Sequence, residues 1–233
     1  MYQINWYKML RSLELRWFIK GILPTDIYKW FKDILPGNET FEEKPRSDYY
    51  LPTQSDDLGI KFSRQQLQVK IRKDKVNFTL YNNNIQGSLE YWTRYDWNDL
   101  HNKENTKIDK LYERFSSIKI DKKRLIKKYK ILDNQLVQIS LSNLTDPQCS
   151  IEITEITMKE QAWFTLGFDW FLKNEIPEFP TIDGYITNNE PFNKTIKELF
   201  NQYTIYKITN TPNSFGYPYF LKISKEGKHL YQM

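Results

Sequence analysis

Only one cysteine, Cys149, and two histidines, His101 and His229, occur among the 233 residues. A single cysteine excludes an internal disulfide and any multi-cysteine metal knuckle, and it fits a reducing compartment. Cys149 opens the strand-like CSIEI, where a small buried filler is a simpler reading than a nucleophile. Both histidines stand in polar, loop-like surroundings. They leave little material for a histidine-rich zinc site or a Ser-His-Asp triad and read as solvated bystanders. No stretch approaches the ~20 uncharged apolar residues that span a bilayer, and MYQINWYKMLRSLEL has no apolar signal core with a small-residue cleavage site. The expectation is a soluble, cytoplasmic protein. No internal repeat or low-complexity tract is visible.

What is abundant is aromatic and charged. Seven Trp, 16 Tyr and 14 Phe stand against 8 Gly, enough apolar mass to build a core. Lys and Arg total 34 and Asp and Glu 29, a net charge of +5, so placement of charge matters more than its sum.

Periodicity organises the chain. Leu13, Leu15 and Trp17 alternate with Ser12, Glu14 and Arg16, the period of a strand. A helix follows Pro24 and Thr25, with Ile27, Trp30, Phe31 and Ile34 at helical spacing and Pro36-Gly37 as its stop. Residues 38–45 are polar and acidic and read as a loop. From Arg46 to Trp97 the period is mostly two, a meander of strands. Residues 98–115 read as a loop with a helical turn. The basic run SIKIDKKRLIKKYKI, 117–131, fits either period, and its neighbours QLVQISLS and CSIEITEIT, both β-branched and alternating, favour the strand. AWFTLGFDWF reads as a segment packed over the sheet, and 174–190 as a surface connector. Pro191 to Tyr203 has Phe192, Ile196, Leu199 and Phe200 at helical spacing. The simplest organisation is one domain over 1–233, with a core at about 12–172 and a helical extension at about 190–233. The tryptophans at strand and helix spacing read as core rather than as stacking platforms for bases.

The polar faces of the strands carry an unusual bias. Gln66, Gln68, Lys70 and Arg72 alternate with Leu67, Val69 and Ile71; Ser150, Glu152 and Thr154 with Cys149, Ile151 and Ile153; Gln86, Ser88, Glu90, Trp92 and Arg94 with Leu89, Tyr91 and Tyr95. If helices cover the apolar faces and the sheet curls, these polar faces line a barrel. Converging cations repel and lose hydration, so either a phosphate-rich ligand or interleaved carboxylates must offset them.

The ordered runs SLELRWFIKG, RSDYYL, LGIKFSRQQLQVKIRK, KKRLIKKYK, CSIEITEI and WFTLGFDWF resemble the CYTH superfamily, the triphosphate tunnel metalloenzymes. The resemblance is to a divergent branch opening with Glu-x-Arg-Trp-Phe, here Glu14 to Phe18, and it spans about residues 12–172. It implies an α+β fold, a mainly antiparallel sheet of about eight strands closing into a tunnel with covering helices. It also implies hydrolysis or cyclisation of triphosphates with Mg²⁺ or Mn²⁺. The family's Glu-x-Glu-x-Lys signature falls on Ser12-Leu13-Glu14-Leu15-Arg16, and its late Glu-x-Glu on Glu152-Ile153-Thr154. One carboxylate is missing from each. Glu155 lies on the other strand face and does not replace it.

By the same resemblance the phosphate clamp is Arg16, Arg46, Lys61 or Arg64, Lys70, Arg72, Arg124 and Lys128. Glu14 and Glu152 are left as catalytic residues and metal ligands. Two carboxylates make a poor site for Mg²⁺ or Mn²⁺, so the expected function is binding of a triphosphate or polyphosphate group with weak or absent phosphohydrolase activity. A non-catalytic interaction protein on the same fold is the alternative. RNA binding through the basic run comes third, disfavoured because its cations are interleaved with Ile, Leu and Tyr.

Overall fold

The computed structural model describes residues 8–64, 66–80, 85–97, 115–133, 135–140, 148–172, 181–200, 203–210 and 212–225. Nine strands occur among them: β1 (Lys8–Lys20), β2 (Phe41–Leu51), β3 (Leu58–Ser63), β4 (Gln66–Leu80), β5 (Ile85–Trp97), β6 (Ile118–Leu132), β7 (Gln135–Gln138), β8 (Cys149–Met158) and β9 (Gln161–Leu172). Helix α1 (Thr25–Lys29) continues as a π-helical turn (Trp30–Ile34), and α2 (Ile182–Thr187), α3 (Glu190–Phe200), α4 (Tyr203–Thr209) and α5 (Tyr217–Lys225) follow the last strand.

Neighbouring strands run in the order β2-β3-β4-β5-β1-β9-β8-β6, and β2 pairs with β6 to close an eight-stranded antiparallel barrel. Closure leaves no free edge in the ring. The long β6 serves two partners on one side: Ile118–Ile126 pairs with β2, and Tyr129–Leu132 with the extra strand β7. The β8–β9 hairpin turns through Lys159 and Glu160 at φ 48° and 64°, the left-handed pair that matches strand twist in a two-residue turn.

The main apolar cluster lies outside the barrel wall. Leu13, Leu15, Trp17, Ile151, Ile153, Leu166 and Phe168 present the apolar face of their strands to Trp30, Phe31, Phe192, Ile196, Leu199, Phe200, Ile205 and Ile208 from the helices. A second cluster closes one end of the barrel, where Phe18, Tyr50, Ile120, Ile156 and Trp163 meet Phe215, Phe220 and Ile223. Phe220 stacks on Phe18 with ring centroids 4.3 Å apart. The segment leading into α5 is tied to β1 by Phe18 N–H donating to Asn213 O and Phe215 N–H to Arg16 O, both at 2.9 Å. The basic run is thus strand β6. Trp17, Trp30, Trp92, Trp163 and Trp170 are buried and Trp97 is half-buried; the unpaired Cys149 is also buried, which pushes its thiol well above its usual range.

Four expectations are corrected. Residues 41–45 are the start of β2, not loop. Pro45 has no N–H to give the ladder, and the β2–β6 register slips between Glu43 and Arg46, so the alternation that marks a strand is broken there. AWFTLGFDWF does not pack over the sheet: it is β9, hydrogen-bonded between β1 and β8 and apolar on its outer face because helices cover it. Within the expected connector 174–190, residues 182–187 are helix α2, started by Thr181, whose hydroxyl accepts from Gly184 N–H at 3.1 Å. Ile34 is exposed rather than on the buried helical face, because the π turn rotates it out of the 3.6-residue period. Residues 98–114 and 173–180, and both histidines, lie outside the described residues.

Candidate anion-binding barrel interior

The alternation that buries Leu13, Leu15 and Trp17 outside turns Ser12, Glu14 and Arg16 inward, and the other strands do the same. β8 contributes Ser150, Glu152 and Thr154, β9 Thr165 and Asp169, β6 Lys122, Arg124 and Lys128, β2 Glu43, Arg46 and Asp48, β3 Lys61 and Ser63, β4 Lys70 and Arg72, and β5 Glu90 and Trp92. Cations and carboxylates therefore alternate around the inner wall. Of the two ways of offsetting the cations, carboxylates are built into the fold.

Arg16 Nη1 donates to Glu152 Oε1 at 2.5 Å and to Thr165 at 3.3 Å, with Asp169 at 3.9 Å on the other side. Arg124 takes the second oxygen of Glu152 and reaches Glu43 at 3.4 Å. Glu43 also holds Arg46 and Arg64. Glu14 accepts from Ser12 at 2.6 Å and pairs with Lys70. Arg72 bridges Glu90 at 3.0 Å and Asp56 at 2.9 Å, and Trp92 Nε1 donates to Glu90 at 2.9 Å. Lys70 and Arg72 both lie over the Trp92 ring, so this tryptophan is core and cation support at once. Asp48 gathers Arg46, Lys61 and Lys122 at 2.9–3.0 Å and Ser63 at 2.5 Å. Every clamp residue except Lys128 has an ion-pair partner. Lys128 has none among the described residues, and its proton affinity is lowered by burial and by Arg124 and Lys8.

The electrostatics follow from this packing. Burial would raise the Glu152 carboxyl, but Arg124 and Arg16 outweigh it and hold it well below the usual carboxylate range. Lys70 and Arg16 do the same for Glu14. Asp169 behaves oppositely: burial, with Glu14 and Glu152 adding repulsion, pushes it up to about 6. Burial also lowers Lys61 to about 7 and Lys122 to about 8, with neighbouring cations adding to the effect.

These contacts bear on Mg²⁺ or Mn²⁺. Both oxygens of Glu152 accept from guanidinium groups, and Glu14 is engaged by Ser12 and Lys70. Among the described residues no group of three or more His, Cys, Asp or Glu side chains is arranged to hold a metal ion. Two carboxylates already neutralised by cations do not fit a divalent ion, which needs several free oxygens.

Glu43, Asp48, Glu90, Lys122, Asp169 and Tyr217 belong to the site and were not among the expected site residues. Asp48 was legible from RSDYYL, where Arg46, Asp48 and Tyr50 alternate. Glu43 was hidden by the break at Pro45, and Asp169 by the aromatic run around it. Tyr217 carries no sequence signal: it arrives from α5 and puts its ring 3.9 Å from Lys122 Nζ.

The basic run is not a surface patch. Lys122, Arg124 and Lys128 face inward, and the outward Lys119 and Lys123 pair with Asp121, Glu42 and Glu155. Beyond Tyr50, a cavity of about 310 Å³ lies between the β2–β3 connection and α5, with Lys222 and Lys225 in its lining. No helix among the described residues is long and apolar enough to cross a membrane. No protein-family model and no curated protein matches the chain.

Proposed function

We propose that the chain is an anion-binding protein whose barrel interior holds a triphosphate or polyphosphate group. One observation carries this reading: at three places in the barrel wall the cation is more exposed than the carboxylate that holds it. Side-chain exposure is 30% for Lys70 against 10% for its partner Glu14, 21% for Lys61 against 0% for Asp48, and 23% for Arg124 against 4% for Glu152. There a buried carboxylate fixes a cation that keeps part of its surface free, whereas Arg16 and Lys122 are themselves buried. An anion entering there meets ammonium and guanidinium groups already in position, so little reorganisation opposes binding. The arginines supply planar forks suited to phosphate oxygens. The resemblance to triphosphate tunnel metalloenzymes supports the same ligand class. Metal-dependent phosphohydrolysis is the competing reading. It requires Glu14 and Glu152 to exchange their cations for Mg²⁺ or Mn²⁺.

Calorimetric titration of tripolyphosphate, with and without Mg²⁺ or Mn²⁺, tests both. Binding without metal is expected. A Lys70→Gln, Arg124→Gln pair should weaken it about 100-fold, the loss of two charge-assisted contacts of about 1.5 kcal/mol each. Phosphate release only when metal is added would establish the hydrolase instead. No binding in any condition would leave an interaction protein that uses the barrel as scaffold.

A further inference from the structure

Around Asp48 the charges do not balance. Its carboxylate is fully buried on β2, and Arg46, Lys61 and Lys122 converge on it at 2.9, 3.0 and 2.9 Å. Three cations on one carboxylate leave two positive charges uncompensated at contact distance. Widening the circle does not restore neutrality. Glu43 on β2 adds a negative charge but holds Arg64 and Arg124 as well as Arg46, and Arg124 shares Glu152 on β8 with Arg16 on β1. Asp169 on β9 faces Arg16 at 3.9 Å, which leaves six cations against four carboxylates, and the other neighbours of the three cations are neutral. Lys122 donates to the Tyr50 hydroxyl at 2.8 Å and lies under the Tyr217 ring from α5, and burial holds both phenols above their usual range. Ser63 on β3 completes the shell. Elsewhere in the barrel Lys70 has Glu14 and Arg72 has both Glu90 and Asp56, while Lys128 has no ion-pair partner among the described residues.

We infer that Arg46, Lys61 and Lys122 form the seat of one doubly charged oxyanion group, and that the seat takes up a proton as that group enters. The inference rests on the anion-binding reading and sharpens it. Two missing negative charges match one terminal phosphoryl dianion. The rest of a longer chain would lie along cations that already have partners.

The proton follows from the same crowding. In the unliganded barrel the three cations repel one another in a buried place. Loss of a lysine proton relieves this repulsion, as the lowered Lys61 and Lys122 indicate. A dianion within hydrogen-bond reach supplies the charge that Asp48 alone lacks, and the neutral lysine then draws a proton from solvent. By linkage, affinity is highest where both lysines are already charged. It falls as pH rises through the free values, by about tenfold per pH unit for each proton taken up.

The probe is monofluorophosphate, a tetrahedral dianion with no titratable proton near neutral pH. It is titrated calorimetrically at about pH 8, the value to which Lys122 is lowered, in two buffers of different ionisation heat. The expected result is a binding heat that differs between the buffers by the amount a proton taken from the buffer requires. Lys61→Arg should keep binding and shrink that difference, because guanidinium does not titrate. Lys122→Arg is the second variant with the same readout. Equal heats in the two buffers, or a difference unchanged in both variants, would overturn the proton uptake and leave anion binding standing. Binding of tripolyphosphate but not of the dianion would overturn the single-group seat. Failure of both anions to bind would overturn the anion-binding reading itself.

Discussion

Single residues decide where charge can be tolerated in this barrel, and Lys127 makes the point outside the site. It is fully buried on the outer face of β6, yet its ammonium group donates to Lys32 O at 3.2 Å, Leu35 O at 3.1 Å and Gly37 O at 2.7 Å. These carbonyls lie at the end of the first helix, which has no further backbone N–H groups to satisfy them and carries the negative end of the helix dipole. Lys127 is thus a helix cap delivered from a neighbouring strand. Lys127→Met should keep the volume and strand the carbonyls, at a cost of about 2–3 kcal/mol in urea unfolding, with anion binding unchanged. From the sequence this lysine looked like one more member of the basic run. Its inward neighbours Lys122, Arg124 and Lys128 were separable from it by parity alone, which the strand period supplies.

At the scale of elements, the site depends on where strands let a long side chain lie. A β-carbon on Gly167 of β9 would fall 2.8 Å from the Arg16 guanidinium, so glycine there opens the space in which Arg16 reaches Glu152. Gly167→Val should push Arg16 away and leave Glu152 held by Arg124 alone. Loss of about 3 kcal/mol of stability is expected in denaturant unfolding, together with weaker tripolyphosphate binding at temperatures where the variant is folded. Strands β1, β4, β5 and β8 were legible because apolar residues alternate with polar or charged ones, so the period of two is clean. The first part of β2 and the whole of β9 were not. Pro45 and the slipped register break the period in β2, and β9 is so aromatic that its alternation is submerged, although Thr165, Gly167 and Asp169 mark its inner face. The helix 182–187 was masked by a setting rich in turn residues, in which Thr181 is the one start signal.

For the whole molecule, stability and charge are linked through closure of the ring. Lys61 and Lys122 keep their protons in the folded barrel only to about 7 and about 8, whereas an unfolded lysine keeps its proton to about 10.4. Between these values the unfolded chain binds more protons, so the contribution of these two groups to stability rises with pH. The melting temperature of the unliganded protein should therefore climb from about pH 7 towards about pH 9, above which the raised Cys149 thiol and the Tyr50 and Tyr217 phenols oppose it, and Lys61→Arg should flatten the climb. A flat or falling profile in the parent, unaltered in the variant, would argue against strained lysines at Asp48. The sequence by itself determined the strand-rich class, the buried aromatic core and the inward faces of four strands, because alternation follows from backbone geometry and needs no partner to be read. Only the tertiary structure decided which charges meet. The pairing of β2 with β6, more than seventy residues apart along the chain, brings Asp48 to Lys122, and the arrival of α5 brings Tyr217 onto the same ammonium group. Coulomb energies depend on these distances, and no local pattern in the sequence encodes them.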